Sequence, residues 1–310
     1  MDKIAVLVPC YNESLTVKKV IEDWKKELPD AVIYVYDNRS DDGTADIAKA
    51  AGAIVRYENK RGKGNVVRRM FREIDAECYI MTDGDDTYSS AIACKMVDGI
   101  LNHNVDMIIG DRLSSTYFEK NDRPFHAFGN RIVRFFINHL FKADIKDIMS
   151  GCRAFSYQFV KSFPATSEGF ETETEMTIHA IDKNMDVRSI EVEYRNRPAG
   201  SKSKLHTVSD GIKVLKTIIT MYKDYRPFRF FSALALLCLL VAVVFFIPVF
   251  REYLSTGMVR RFPTLIVCGF AGLFAGISFF QASYCRPYCV LKDKILKLLY
   301  TRYITGKWNW

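Results

Sequence analysis

The chain has 310 residues, a formal net charge of +8 and eight cysteines. This length suffices for one α/β domain with its own core plus an appendage, so neither disulfides nor a structural metal is needed. The cysteines form no CxxC pair and no zinc-like set with histidines, which excludes a zinc framework and indicates reduced thiols without a catalytic role. Many basic residues flank two long apolar segments, where they would face anionic lipid, so the charge indicates a membrane partner rather than nucleic acid.

Strand-like runs alternate with amphipathic helical patterns through the first 110 residues. This alternation predicts a mainly parallel sheet with helices on both faces, an α/β architecture of the Rossmann type. Ligands of such sheets bind beyond the carboxyl ends of the strands, where we therefore look for the chemistry. The strands are predicted at 4–9, 31–36, 53–57, 79–83 and 106–110, and the helices at 17–28, just after Thr44, at 65–74 and at 91–101.

The pattern is less regular beyond residue 112, with a helix predicted over 126–141 and a strand over 187–195. An apolar stripe then follows at alternating spacings of four and three, with lysines off the stripe. It is typical of an amphipathic helix in the membrane interface, and packing on the catalytic domain is the alternative. The stripe consists of Val208, Ile212, Leu215, Ile219 and Tyr222.

Two segments, 230–250 and 262–285, contain no charged residue. At a rise of about 1.5 Å per residue, either could cross a hydrocarbon layer of about 30 Å as a helix. Buried core helices are the alternative, but two adjacent apolar segments favour membrane spans. Basic residues flank the outer ends of the pair more densely than the loop between, which predicts a plasma-membrane protein with both termini in the cytoplasm. Self-association through these helices is left open.

We therefore expect four regions along the chain. These are a cytoplasmic catalytic domain at 1–206, an amphipathic juxtamembrane helix at 207–228, two transmembrane helices with a short loop at 229–286, and a basic cytoplasmic tail at 287–310.

Three of the predicted strands end in polar, acid-rich turns, at 9–13, 37–44 and 83–86. One such turn alone usually caps a helix. Three at one sheet edge would repel one another unless a divalent cation neutralises them. Asp83 and Asp85 have the spacing that places two carboxylates of an extended segment on the same side. Because Mg²⁺ and Mn²⁺ bind a few carboxylates together with phosphate oxygens, the pair predicts a site for a metal ion and a nucleoside diphosphate.

Several sequence blocks together resemble the family 2 glycosyltransferases, which have the GT-A fold. The early blocks are VPCYNE at 8–13, YDNRSDDGT at 36–44, GKG at 62–64 and TDGDD at 82–86. Later blocks resemble the polyprenyl-phosphate hexose synthases within that family, namely GDR at 110–112, GNR at 129–131, SGCRAF at 150–155 and RPAGSKSKL at 197–205. The dolichyl-phosphate mannose synthases are the closest relatives in kind. The paired apolar segments are similar to bacterial members that use undecaprenyl phosphate.

The resemblance implies a role for individual residues. The donor nucleotide sugar would be bound by Pro9, Tyr11, Glu13, Asp37, Asp42, Lys63, Asp83 and Arg197. Asp83 and Asp85 would hold Mg²⁺ or Mn²⁺. Some relatives have a glutamine as a further ligand where this chain has Thr87, so water or Asp86 would complete the ligand shell.

The residues that the resemblance places at the reaction itself are Asp85, Arg112, Arg131 and Lys204. Arginine suits this place because guanidinium groups bind phosphate oxygens in pairs. Whether Lys202 or Lys204 meets phosphate is left open, with Lys204 favoured. Residues considered for the sugar or the acceptor are Asp147, Ser150, Arg153, Glu171, Glu173 and Ser203. For Glu171 and Glu173, capping of a helix is the favoured interpretation, and contact with sugar hydroxyls is the alternative.

The expected reaction is the inverting transfer of a hexose from a nucleotide sugar to polyprenyl phosphate, with UDP-glucose or UDP-N-acetylglucosamine as favoured donors. A GDP-mannose-dependent polyprenyl- or dolichyl-phosphate mannose synthase is the alternative. A processive polysaccharide synthase is disfavoured because the chain has no QxxRW block and too few apolar segments for a channel. A membrane scaffold with a degenerate domain is disfavoured because the acidic and basic sets are both present.

Overall fold

The computed structural model describes residues 1–113, 124–198, 200 and 207–304. The chain forms two compact units, Met1–Ile219 and Thr220–Trp310. The four regions expected from the sequence have other boundaries than these two units, and that division stays a prediction.

The first unit contains one seven-stranded sheet in the order β3-β2-β1-β4-β6-β5-β7. Every neighbouring pair is parallel except those of β6, which runs antiparallel to both β4 and β5. This is the mainly parallel α/β sheet that the sequence predicts. The strands are β1 (Asp2–Cys10), β2 (Val32–Asp37), β3 (Ile54–Tyr57), β4 (Ala76–Met81), β5 (Met107–Asp111), β6 (Arg153–Ser156) and β7 (Val187–Glu191).

Helices connect the strands and cover the sheet. They are α1 (Val17–Glu27), α2 (Thr44–Ala50), α3 (Lys63–Glu73), α4 (Ala93–Leu101), α5 (Pro124–Phe141), α6 (Tyr157–Ser162), α7 (Thr172–Asp182) and α8 (Thr207–Tyr225), with a 3₁₀ turn at Ser90–Ile92. The apolar spacing of α1 turns Val17, Ile21 and Trp24 into the core against β1. The consequence is a fixed path from the end of β1 into α1, and this path forms part of the site.

Helix α3 is also held to the sheet by charge. Glu73, its last residue, accepts hydrogen bonds from Tyr36 on β2 at 3.0 Å, from Arg56 on β3 at 3.0 Å and from Arg69 at 2.7 Å. Although burial works in the opposite direction, these donors lower the pKa of Glu73. The pairing anchors the helix that begins with Lys63.

Element boundaries differ from the predicted ones in a few places. Helix α3 begins at Lys63 rather than residue 65, and β4 ends at Met81 rather than at Asp83. Strand β6 was not predicted; its residues lie at the end of the SGCRAF block and beyond it. In α8 the buried side chains are Val214, Ile218 and Met221, none of which belongs to the predicted stripe. Of the predicted stripe, Ile212 and Ile219 are exposed, and Leu215 and Tyr222 are half-buried.

The second unit contains α9 (Pro227–Thr256) and α10 (Phe262–Ile304), which pack against each other. Both are long and apolar enough to cross a membrane. Three buried positions on each helix recur every seven residues and are mostly small, which lets two helix backbones approach closely. These positions are Ala235, Ala242 and Val249 on α9 and Cys268, Ala275 and Ala282 on α10. Most large apolar side chains of the pair point outward.

Candidate active site

A cavity of about 480 Å³ opens at the carboxyl ends of β1 and β4. From β1 the chain adds β2 and β3 on one side of the sheet, and β4 then begins the other side. Ligands of open α/β sheets bind at such a switch point. Turns from both sides of the sheet contribute charged and aromatic side chains. Those used below are Pro9, Tyr11, Glu13, Asn38, Arg61, Lys63, Asp83, Asp85, Tyr88, Arg112, Asn130, Phe170, Glu173, Tyr194 and Arg197.

Lys63 lines the cavity with only 9% of its side chain exposed. Its Nζ lies 2.5 Å from Oδ1 of Asp83 and 2.6 Å from Oε1 of Glu173. Burial alone would lower the pKa of Lys63, but the two carboxylates outweigh it and raise the pKa, so the lysine stays charged. One ammonium group therefore joins the turn after β4 to the first turn of α7.

Glycines on either side bring Lys63 to this place. A Cβ on Gly62 would lie 2.2 Å from the carbonyl oxygen of Glu168, and one on Gly64 would lie 2.2 Å from that of Ser167. The amide of Gly64 also donates to the Glu168 carbonyl at 2.9 Å. The two glycines of the GKG block are thus needed so that the backbone at the start of α3 can lie directly against the backbone of the loop before α7.

The loop before α7 is held from two sides. Glu175 accepts hydrogen bonds from the amides of Thr166 and Ser167, each at 2.9 Å. Arg68 donates to the carbonyl oxygens of Ala165, Thr166 and Ser167. This clamp fixes the segment that carries Phe170 and Glu173 into the cavity.

Asp85 is buried and bound by two neighbours. Arg197 forms an ion pair with its Oδ2, and the hydroxyl of Thr87 donates to its Oδ1 at 2.6 Å. Burial and the charge of Asp83 raise the pKa of Asp85, and Arg197 opposes them. The Asp83 and Asp85 carboxylates are therefore close enough to repel each other.

Gly151 lies directly against the carboxylate of Asp83. A Cβ at this position would lie 2.2 Å from Oδ2 of Asp83. Its amide donates to the hydroxyl of Tyr88 at 2.8 Å. Only glycine leaves space for the carboxylate in this position.

Arg112 and Arg153 differ in their surroundings. Arg112 lines the cavity, and its Nε lies 2.9 Å from Oδ2 of the buried Asp147. Arg153 is completely buried and donates to the carbonyl oxygens of Ser150 and Ile148 and to the hydroxyl of Thr177. Burial lowers the pKa of Arg153 to about 10. Arg153 thus holds the turn that leads to Gly151.

The other end of the cavity carries an aromatic ring and amide groups. The guanidinium of Arg61 lies 4.0 Å from the centre of the Tyr11 ring. Asn38 donates to the carbonyl oxygens of Glu58 and Lys60 and accepts from the amide of Gly62, all at 2.8 Å. A stacking surface next to backbone groups is suited to a flat heterocyclic base.

Comparison with known proteins agrees with this arrangement. The model for Glycosyl transferase family 2 matches residues 5–163. The chain belongs to glycosyltransferase family 2. The match contains the first six strands of the sheet and the turns after β1, β2 and β4.

Relatives of this glycosyltransferase extend the match. Glycosyltransferase AglJ of Haloferax volcanii is 36% identical over 211 residues, 68% of this chain and 69% of that protein. Dolichyl-phosphate hexose transferase of the same organism is 27% identical over 70% of this chain and 93% of its own length. Protein RfbJ of Shigella flexneri is 50% identical over 109 residues, 35% of this chain and 84% of that protein.

The fold has solved counterparts. Glucosyl-3-phosphoglycerate synthase from Mycobacterium tuberculosis, crystallised with Mn²⁺, UDP and phosphoglyceric acid, matches with a TM-score of 0.56 at 19% identity. The match covers 71% of this chain and 78% of that one. At this identity the likeness shows the GT-A fold.

The family 2 site brings together nine of the eighteen predicted residues. Those that line the cavity are Pro9, Tyr11, Glu13, Lys63, Asp83, Asp85, Arg112, Glu173 and Arg197. Lys204 and Ser203 lie outside the described residues. The chemical roles of all these residues stay predictions.

Other predicted residues lie outside the cavity wall. Asp37 and Ser150 are buried, and each holds a neighbouring backbone group. Asp42 accepts hydrogen bonds from Ser14 and Thr44 and joins the turns after β1 and β2. Asp147, Arg153 and Glu171 support cavity residues or the loop before α7. Arg131 lies on the exposed face of α5, and Asp86 pairs with Lys19 at 2.8 Å. Substrate contacts by these residues stay predictions.

Several residues of the cavity were not predicted from the sequence. Asn38 belongs to a predicted acid turn, where its amide was overlooked beside the carboxylates. Arg61 directly precedes the GKG block and could have been included with it. Asn130 lies in the GNR block, of which only Arg131 was predicted as a site residue. Tyr88, Phe170 and Tyr194 have no local signal, because they reach the cavity only through contacts between distant segments.

Proposed function

We propose that this chain is an inverting glycosyltransferase that moves a hexose from a nucleoside diphosphate sugar to a polyprenyl phosphate at a membrane surface. The observation that carries the proposal is one cavity in which acidic and basic side chains face each other. Its volume of about 480 Å³ falls within the usual range of about 300–1,000 Å³ for ligand pockets. The name of the dolichyl-phosphate hexose transferase supports the acceptor class.

The residues present fit a divalent metal ion. Among the described residues no group of three or more His, Cys, Asp or Glu side chains could hold an ion by itself. Asp83 and Asp85 supply two neighbouring carboxylates at the cavity, and Mg²⁺ or Mn²⁺ bound there would take its other ligands from diphosphate and water. When bound, the ion would supply positive charge to the departing diphosphate. The similar synthase was crystallised with Mn²⁺ and UDP.

The acceptor requires no strong base from the protein. A phosphate monoester has a second pKa near 6, so at neutral pH it already carries a nucleophilic oxygen. The protein has to align this oxygen with the anomeric carbon and to stabilise charge on the leaving group. Lys63, Arg112 and Arg197 line the cavity and are the described residues suited to bind phosphate. Direct displacement by the acceptor oxygen inverts the anomeric centre.

Glu173 is suited to the donor sugar. Its Oε1 pairs with Lys63, and its Oε2 has no hydrogen bond partner among the described residues although it is buried. A buried carboxylate oxygen without a donor costs free energy, which a sugar hydroxyl would recover. We therefore assign Glu173 to a hydroxyl group of the hexose.

The second unit provides the anchor. Helices α9 and α10 would span the plasma membrane with both termini in the cytoplasm, because basic residues concentrate on the outer flanks of the pair. Helix α8 would lie in the interface, with Ile212 and Ile219 exposed to lipid.

A transfer assay tests the proposal. Purified full-length protein is incubated with undecaprenyl phosphate, Mg²⁺ or Mn²⁺, and a panel of radiolabelled UDP- and GDP-sugars, and lipid-linked label is extracted. We expect transfer from UDP-glucose or UDP-N-acetylglucosamine, whereas transfer from GDP-mannose alone would identify a mannose synthase. Absence of lipid-linked label with every donor would refute the proposal.

A further inference from the structure

The outer face of α5 exposes a group of aromatic rings on the first unit. Phe135 is 63% exposed and Phe136 is 41% exposed. Their ring centres lie 5.7 Å apart, and the ring of His139 stacks on Phe135 at 5.7 Å. These three residues form the aromatic patch. Large apolar groups held together in water are unfavourable, so the patch requires an explanation.

The exposure of the patch is fixed by the opposite face of the helix. Val133, Ile137 and Phe141 follow one another at intervals of four residues and are all buried. A helix anchored along this stripe cannot turn its aromatic patch inward without removing the stripe from the core. The patch is therefore a permanent part of the surface.

Exposed basic residues lie close to the patch in the sequence. Arg131, Arg134 and Lys142 are exposed. No Asp or Glu occurs anywhere in the sequence from residue 124 to residue 143. A face that joins exposed aromatic rings to positive charge without acids is complementary to an anionic lipid surface.

We propose that the outer face of α5 binds the headgroup region of an anionic bilayer. Phe135 and Phe136 insert at the boundary between headgroups and acyl chains, and Arg131, Arg134 and Lys142 bind lipid phosphates. Asn130 of the same helix lines the cavity, so docking of α5 brings the cavity wall to the lipid surface from which a lipid phosphate enters. The inference rests on the membrane anchorage in the proposed function but not on the transfer reaction.

A bilayer explains this face better than a second copy of the chain. Two copies of the outer face of α5 would repel each other, because the charged residues between 124 and 143 are all basic. The same chain carries two helices able to cross a membrane, which keep lipid headgroups at high local concentration.

Tryptophan fluorescence in nanodiscs with brominated acyl chains tests the inference. The full-length variants F135W, F245W and I54W are each compared with the unsubstituted chain, which contains three tryptophans. Phe245 lies on α9, and Ile54 is an exposed residue at the start of β3. We expect the added emission of F135W and F245W to be quenched by brominated lipid, and that of I54W to be unchanged.

The outcomes separate the two proposals. Quenching of F245W without quenching of F135W would overturn the docking of α5 while leaving the anchor intact. Absence of quenching in F245W would overturn the proposed anchorage itself. A blue shift of F135W that occurs only in discs with two copies of the chain would assign the patch to a copy-to-copy interface and refute the inference.

Charge variants test the lipid selectivity. In discs with phosphatidylglycerol, the additional substitutions R134E and K142E should remove most of the quenching of F135W. The matched control R72E changes an arginine of α3 whose side chain is 74% exposed, and it should leave the quenching unchanged. Equal quenching in F135W alone, in F135W with R134E and K142E, and in F135W with R72E would overturn the role assigned to the basic residues.

Discussion

Replacing Gly151 with alanine should move the Asp83 carboxylate. The added Cβ would lie 2.2 Å from Oδ2 of Asp83, whereas ordinary contacts begin at 3.4 Å. The carboxylate must therefore move by more than 1 Å. It can do so without unfolding the protein, because the clash is with the end of the Asp83 side chain and not with backbone atoms. Misplacement by about 1 Å at a reacting centre can lower the rate about 100-fold, or about 2.7 kcal/mol in activation free energy.

The expected result of G151A is thus a loss of transfer without a loss of fold. The assay measures kcat/KM for transfer to undecaprenyl phosphate, together with Mn²⁺ binding in the presence of UDP and the thermal midpoint. Transfer and Mn²⁺ binding should both decrease, and the midpoint should stay within a few degrees. G211A is the matched control, because a Cβ on Gly211 meets nothing within 4 Å. G151A activity within about threefold of the unsubstituted protein, well under the 100-fold expected from misplacement, would refute the reasoning.

Four further predictions concern the metal site, the anchor, a buried arginine and acid stability. Asp85→Asn should abolish transfer while the protein stays folded, because it removes a predicted metal ligand and keeps the side-chain shape. A chain that ends before Phe228 should lose the use of long-chain acceptor in the transfer assay far more than UDP binding by calorimetry. R153M should lower the free energy of unfolding by about 3 kcal/mol or more in urea titrations, because three buried acceptors lose their donor. For Glu73, whose pKa is lowered in the folded state, the stabilisation is present above the unfolded pKa and is lost as pH falls through the folded pKa. E73Q should therefore flatten the decline in thermal midpoint below pH 4.5, the ordinary value for this group.

Each of these has a contrary outcome. Unchanged turnover of D85N would remove the metal role, and equal losses of acceptor use and UDP binding would make the apolar helices purely structural. R72M, at an exposed arginine of α3, serves as the control for R153M, and equal effects would show that burial does not matter. An acid decline of E73Q that matches the unsubstituted protein would show that other carboxylates dominate.

Local patterns were sufficient for much of the fold. Strands β1, β2 and β5 are short apolar runs bounded by polar turns, and α1 has a clear helical period. The acid turns could be assigned to one sheet edge because carboxyl ends of parallel strands meet there. The structure places Asp83 and Asp85 at that edge, and their roles stay predictions.

Other features could not be predicted because they depend on contacts between distant residues. Lys63 and Glu173 are 110 positions apart, and only packing of the loop before α7 against Gly62 and Gly64 brings them within 2.6 Å. Arg112 and Arg153 are the same residue type in similar blocks, yet one faces the cavity and the other is fully buried. Nothing in the local sequence separates two such arginines.

The amino-acid sequence alone determined the alternation of strands and helices, the acid pair after β4, the family, and two segments apolar enough for a membrane. These properties are local, because periodicity, turn chemistry and hydropathy act over a few residues. Tertiary structure decided which cation meets which carboxylate, which arginine supports rather than lines the cavity, and which face of α5 stays exposed. Such choices depend on which side chains compete for the same buried space, and this competition exists only once the chain has folded.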